Sequence, residues 1–172
     1  MFPRMRKAKG TIYIFTFKDG ILARAAHDLR ISLSNFDIGL EGEDVHAELP
    51  LGSLAVDGPV EGGEVKLDQY DAGKKADVLK AMNEDVLHTA KNPTARFKGK
   101  AAPRGDGFAV SGDLELNGKT APLAFDVRKE GGTYQASFEM QPSKWGVAQY
   151  KALLGAIKVK DVVRIELALQ DS

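Results

Sequence analysis

Apolar residues recur at every second position through most of this chain, and the places where that rhythm breaks carry as much information as the strands. In Ser111–Val127, Leu114 and Leu116 precede an Asn117-Gly118 dipeptide, and Leu123, Phe125 and Val127 follow it. Asp113, Glu115 and Asp126 occupy alternate positions. Strict period two on both sides of Asn-Gly predicts a hairpin with one apolar face and one wet face. The same alternation runs through Leu29, Ile31 and Leu33, then Phe36, Ile38 and Leu40. It recurs in Val45, Ala47, Leu49 and Leu51, and again in Val163, Ile165, Leu167 and Leu169.

The interruptions locate the boundaries. A β-branched and aromatic run over residues 11–17 stops at Asp19-Gly20, a turn signal. The phase slips by one residue near Ser34-Asn35, which predicts a bulge or tight turn. Pro50 has no N–H for a ladder, so its strand should lie at an edge or end there. Residues 57–63 read as a loop. From residue 72 to 87 the period changes: Leu79, Met82 and Val86, widened by Val78, fall at helical spacing, with Asp71 placed to cap. Tyr150, Leu153, Leu154 and Ile157 make an i, i+3, i+4, i+7 set, so a second short helix is expected. About eight to ten strands joined by short turns, with two inserted helices, predict one mainly β, antiparallel domain over residues 1–172. A barrel and a sandwich both satisfy that pattern.

Composition narrows the function. The chain has 172 residues, 43% of them hydrophobic, and 24 Lys plus Arg balance 24 Asp plus Glu. A neutral chain lacks the basic excess of a nucleic-acid binder. No stretch approaches the roughly 20 apolar residues of a transmembrane segment. The N-terminus lacks a secretory core of roughly 7–15 apolar residues, so a cytoplasmic location is expected. Cysteine is absent, which excludes disulfides and thiolate chemistry. His27, His46 and His88 lie on three separate segments, so no metal site is expected. No nucleophile elbow or phosphate loop occurs, and the glycines of "RGDGF" read as a hairpin turn. The most suggestive polar cluster is His27-Asp28 at a strand entrance. It reads as local backbone satisfaction, as a rim that hydrogen-bonds the polar end of a ligand, or, as a distant third, as an acid–base pair acting on a bound molecule. Overall the chain is expected to be no enzyme and to need no cofactor.

In order, "AHDLRISLSNF", "NPTARFKG", "VSGDLELNGKTAPLAFDV" and "WGVAQYKALLGAIKVKDVVRIELAL" resemble the YceI-like family of bacterial lipid-binding proteins, across roughly residues 11–170. The resemblance implies an extended lipocalin-like antiparallel β-barrel holding a polyisoprenoid or other long-chain lipid. Asn117 stands where many relatives carry His, and many relatives are periplasmic. An eight-stranded barrel can enclose one small ligand, and each buried CH₂ contributes about 0.8 kcal/mol. The expected partner is therefore a long-chain isoprenoid, an isoprenoid quinone, or a fatty-acyl lipid such as a fatty acid or fatty amide; a homodimer is compatible with this reading. The alternative is a non-catalytic stress-response interaction domain with a filled core. The ligand-facing residues are expected among Phe36, Ile38, Phe97, Leu114, Leu116, Phe125, Phe138 and Met140. Leu79, Met82, Val86, Leu153 and Leu154 should close the barrel from the helices or line its entrance. Trp145 and Tyr150 should either meet the polar head or act as structural caps, and His27 should meet the head from the rim.

Overall fold

In the computed structural model, residues 8–171 are described. Its strands are β1 (Ala8–Asp19), β2 (Asp28–Leu33), β3 (Asp37–Glu41), β4 (Asp44–Pro50), β5 (Leu54–Glu61), β6 (Glu64–Val65), β7 (Thr94–Arg104), β8 (Gly107–Leu116), β9 (Lys119–Glu130), β10 (Thr133–Met140), β11 (Lys151–Ala152) and β12 (Ile157–Asp171). The helix α1 (Ala72–Ala81) runs on into a π-helical turn at Met82–Val86. Its start is capped as the sequence suggests, with the Asp71 carboxylate accepting the Lys74 N–H at 2.8 Å.

All strands belong to one antiparallel sheet, ordered β3-β4-β7-β8-β9-β10-β12-β1-β2-β5-β6, with β11 beside β12. The phase slip near Ser34 and the proline at 50 are two halves of one feature. There β2 bends into β3, and β4 bends into β5, while β2 pairs with β5 and β3 with β4. Ser53 stitches the two bends together. Its hydroxyl accepts the Asn35 N–H at 3.1 Å and reaches the Pro50 carbonyl at 2.8 Å, and its carbonyl accepts the Ser34 N–H at 3.1 Å. Counted through these bends there are eight long strands, with β6 and β11 as two-residue additions. The ladder passes from β1 through the bent pair to β7, β8, β9, β10 and β12, and β12 pairs with β1 again. The result is a curled, lipocalin-like antiparallel barrel.

Three expectations need correction. Among the described residues the strand segments number twelve rather than eight to ten, because bends divide two strands and two short pieces were not foreseen. Residues 57–63 are not a loop: β5 extends to Glu61, pairing Gly58, Pro59 and Val60 with Arg30, Leu29 and Asp28. Gly58 makes this work, since a Cβ there would lie 2.5 Å from the Lys66 carbonyl oxygen of the returning chain. The second helix does not form. Leu154 lies at φ 55°, ψ 33°, which breaks a right-handed helix, and Ile157 and Lys158 pair with Ala152 and Lys151 instead. Interstrand pairing outcompetes helical spacing there.

Candidate functional site

The inward faces of the eight long strands surround a cavity of ≈ 680 Å³. Period-two alternation explains its walls. Ile12, Ile14 and Thr16 of β1, Ile31 and Leu33 of β2, and Ile165, Leu167 and Leu169 of β12 all point inward, while the alternate positions carry Arg30, Ser32 and Glu166 and the rings of Phe15 and Phe17, which Arg164 covers. Inward positions Ala47, Ala95 and Ala101 carry the smallest side chains available to a wall, which leaves space beside the larger rings. Those rings form a sheet-spanning surface: Phe125 stacks on Phe138 at 4.3 Å and 11°, and Phe97 lies 6.1 Å from Phe125. A cavity of this size falls within the roughly 300–1,000 Å³ typical of small-molecule sites.

Among the described residues the charged side chains of the lining gather at one end, while Tyr134, paired with Leu169, places a phenol toward the other. The inward series of β1 reads Ile12, Ile14, Thr16, Lys18, so it turns polar where the strand ends. At that same end β2 begins, β8 and β10 finish, and β12 starts. A register shift between Thr16 and Lys18 opposes those residues to Val163 and Val159, so β12 bulges there and brings Lys160 and Asp161 to the rim. Lys158, Gln149, Tyr150, His27, Tyr70, Lys74 and Asp77 complete it. His27 Nδ1 lies 3.6 Å from a Glu61 carboxylate oxygen, and its ring meets the Tyr70 ring edge-on at 6.0 Å. Burial, reinforced by the Glu61 charge, holds the Tyr70 phenol above its ordinary pKa. Asp28 is committed elsewhere, accepting the Lys18 backbone N–H at 2.8 Å.

The expected site residues divide clearly. Ile38, Phe97, Leu114, Leu116, Phe125, Phe138 and Met140 line the cavity wall, Met82 reaches it from the turn after α1, and Tyr150 and His27 stand at the rim. Phe36 and Leu79 do not line it. Phe36 is buried within the bend after β2, and Leu79 packs on the core cluster from α1. Leu154 does not close the barrel, because its side chain is fully exposed. The side chain of Leu153 lies outside the described residues. Of the two roles expected for it, Trp145 is placed as a structural residue: it is 1% exposed, and its indole N–H donates to the Leu114 carbonyl at 2.7 Å. Asn117 supports it, donating from Nδ2 to the Trp145 carbonyl at 3.2 Å. The lysines of the rim were missed, although the apolar-to-polar drift along β1 was a readable sign of them.

The model of the YceI-like domain matches residues 16–170. The chain belongs to the YceI-like domain family. A UPF0312 protein of Serratia proteamaculans (strain 568) is 33% identical over 84 residues, which make up 45% of this chain; the chain spans 37% of the length of that curated relative. BcnA of Burkholderia cenocepacia shares the fold with a TM-score of 0.65 at 15% identity, covering 94% of this chain and 96% of that one. A polyisoprenoid binding domain from Saccharophagus degradans, implicated in plant cell wall breakdown, superposes at 0.61 with 9% identity over 98% and 99% of the two chains. The YceI protein of Campylobacter jejuni gives 0.56 at 10% identity over 83% and 84%.

Proposed function

We propose that this YceI-like protein encloses one long-chain amphiphilic lipid, of polyisoprenoid or isoprenoid-quinone type, for storage, transport or sequestration. The observation that carries the reading is the ≈ 680 Å³ largely apolar cavity whose charged side chains gather at one end. Such a space suits a molecule with a long oily tail and one polar head. A water's share of the liquid is about 30 Å³ and a methylene is similar in size, so the cavity has room for at least roughly twenty such groups. Ten buried carbons already contribute about 8 kcal/mol before ordering costs, which corresponds to a micromolar dissociation constant if it is net. Affinity therefore needs few polar contacts. The polyisoprenoid-binding description of the Saccharophagus degradans domain supports the reading through the shared fold.

Organic extraction of the purified protein followed by mass spectrometry of the extract tests it. The expected result is one long-chain lipid per chain, or stoichiometric uptake of a prenyl chain by delipidated protein. Empty protein that also refuses prenyl and fatty-acyl chains would overturn it.

A further inference from the structure

We propose that the two loops beside the cavity mouth, residues 20–26 and 148–156, form a docking surface for an anionic lipid bilayer. The large hydrophobic side chains exposed among the described residues are Ile21 at 92%, Leu22 at 47%, Leu67 at 52%, Tyr150 at 36% and Leu154 at 109%. Four of them sit on these two loops, and Leu67 lies on the segment that leads to rim residue Tyr70. Scattered exposed leucines mean little, whereas a cluster at one place marks a contact surface. The two loops are joined to each other by the Leu22 N–H, which donates to the Ala156 carbonyl at 2.8 Å, and the second is fastened to β12 by the Val159 N–H, which donates to the Tyr150 carbonyl at 3.0 Å. They therefore present their apolar tips as one unit.

Leu154 strengthens the case. It occupies the left-handed region at φ 55°, where glycine or asparagine fits and leucine does not, and its side chain then points into solvent. A residue disfavoured both by its backbone and by its exposure gains only if it has somewhere apolar to go.

Charge selects the partner. The chain as a whole is neutral, yet residues 18–26 and 148–161 hold Lys18, Arg24, Lys151, Lys158 and Lys160 against Asp19 and Asp161. Among the described residues none of these five cations forms an ion pair with a carboxylate. Apolar tips ringed by cations suit the boundary between acyl chains and anionic head groups, where buried apolar area and electrostatic attraction add. This geometry would also set the cavity mouth against the source of a lipid guest, a purpose that rests on the carrier reading although the surface itself does not.

The test is flotation of the full chain with phosphatidylcholine vesicles, with and without phosphatidylglycerol. The expected result is capture by the phosphatidylglycerol vesicles that weakens as salt rises. The double variant Ile21→Ser, Leu154→Gly should lose about tenfold or more of that binding, and Arg24→Gln with Lys151→Gln should lose the salt-sensitive part. Neither pair touches the cavity wall, and glycine suits the backbone at 154, so lipid content should be unchanged. Wild-type protein that stays in the aqueous fraction would overturn the proposal, as would a double variant that floats as well as wild type. A dimer that this variant dissolves, with no vesicle capture, would overturn it in favour of self-association. An empty barrel that floats would count against the carrier reading alone.

Discussion

Replacing Leu116 by tryptophan separates a hollow barrel from a solid one. Leu116 lies at the end of β8, half-buried, with its side chain on the cavity and its register partner Lys119 across the hairpin. Leucine to tryptophan adds about six non-hydrogen atoms. If those atoms displace as many methylenes of a guest, the loss is up to about 5 kcal/mol at about 0.8 kcal/mol each. That ceiling is roughly three and a half powers of ten in affinity. A flexible chain recovers part of it by shifting, so a fall of at least about tenfold is expected. Stability should change by less than about 1 kcal/mol, because the ring enters space that no protein atom fills. The assay pairs equilibrium uptake of a prenyl chain with urea denaturation. Glu115→Trp, on the outer face of the same strand, serves as the control and should leave uptake unaltered. Affinity within about twofold of wild type, together with a stability loss of about 1–3 kcal/mol, would mean a packed core at this site and would refute the reasoning.

Three further outcomes follow from particular contacts. Trp145→Phe removes the donor to the Leu114 carbonyl and should cost about 1–3 kcal/mol in urea denaturation; a simultaneous loss of lipid uptake would show that the indole takes part in binding. Asn117→Ala places alanine at φ 54° and deletes the bond to the Trp145 carbonyl, so it should cost about 1–2 kcal/mol. Asn117→Gly should cost less, and equal losses would discount the backbone contribution. Asp161 supplies a pH dependence. Desolvation is the largest single influence and pushes its pKa up, but hydrogen bonds from the Ser143 hydroxyl, the Gln141 amide and the Ser143 backbone N–H outweigh it and hold the group below its ordinary 3.8. A carboxyl depressed on folding stabilises the protein above its unfolded pKa and loses that contribution as pH falls through the folded value. The stability difference between wild type and Asp161→Asn should stay level near neutrality and shrink only below about pH 4. A difference that stays constant down to about pH 2 would contradict the linkage.

Much of the architecture is present in local patterns. Alternation identifies the strands and also their inward faces, since a strand has only two sides and the apolar one must leave water. That is why Ile38, Phe97, Leu114, Phe125 and Phe138 were identifiable as wall residues before any coordinates. The Asn117-Gly118 turn and the Asp71 cap are likewise short-range chemistry. The family motifs distributed over residues 16–170 point to the same barrel.

Long-range geometry decided the rest. Periodicity says that a side is apolar but not whether another side chain fills the space in front of it. Only closure of β12 against β1, with small side chains at Ala47, Ala95 and Ala101, leaves a cavity instead of a packed centre. The helical spacing around Leu153 and Leu154 gave way because β12 offers Ile157 and Lys158 ladder partners that a short helix cannot match. The rim is assembled from residues far apart in the chain, with Lys18 and Lys160 brought together by the β1–β12 register shift and Tyr70 carried there by the segment between β6 and α1. Sequence determines which faces shun water, because that is a property of each residue. The shape those faces enclose belongs to the whole chain, because it depends on which strands meet and in what register.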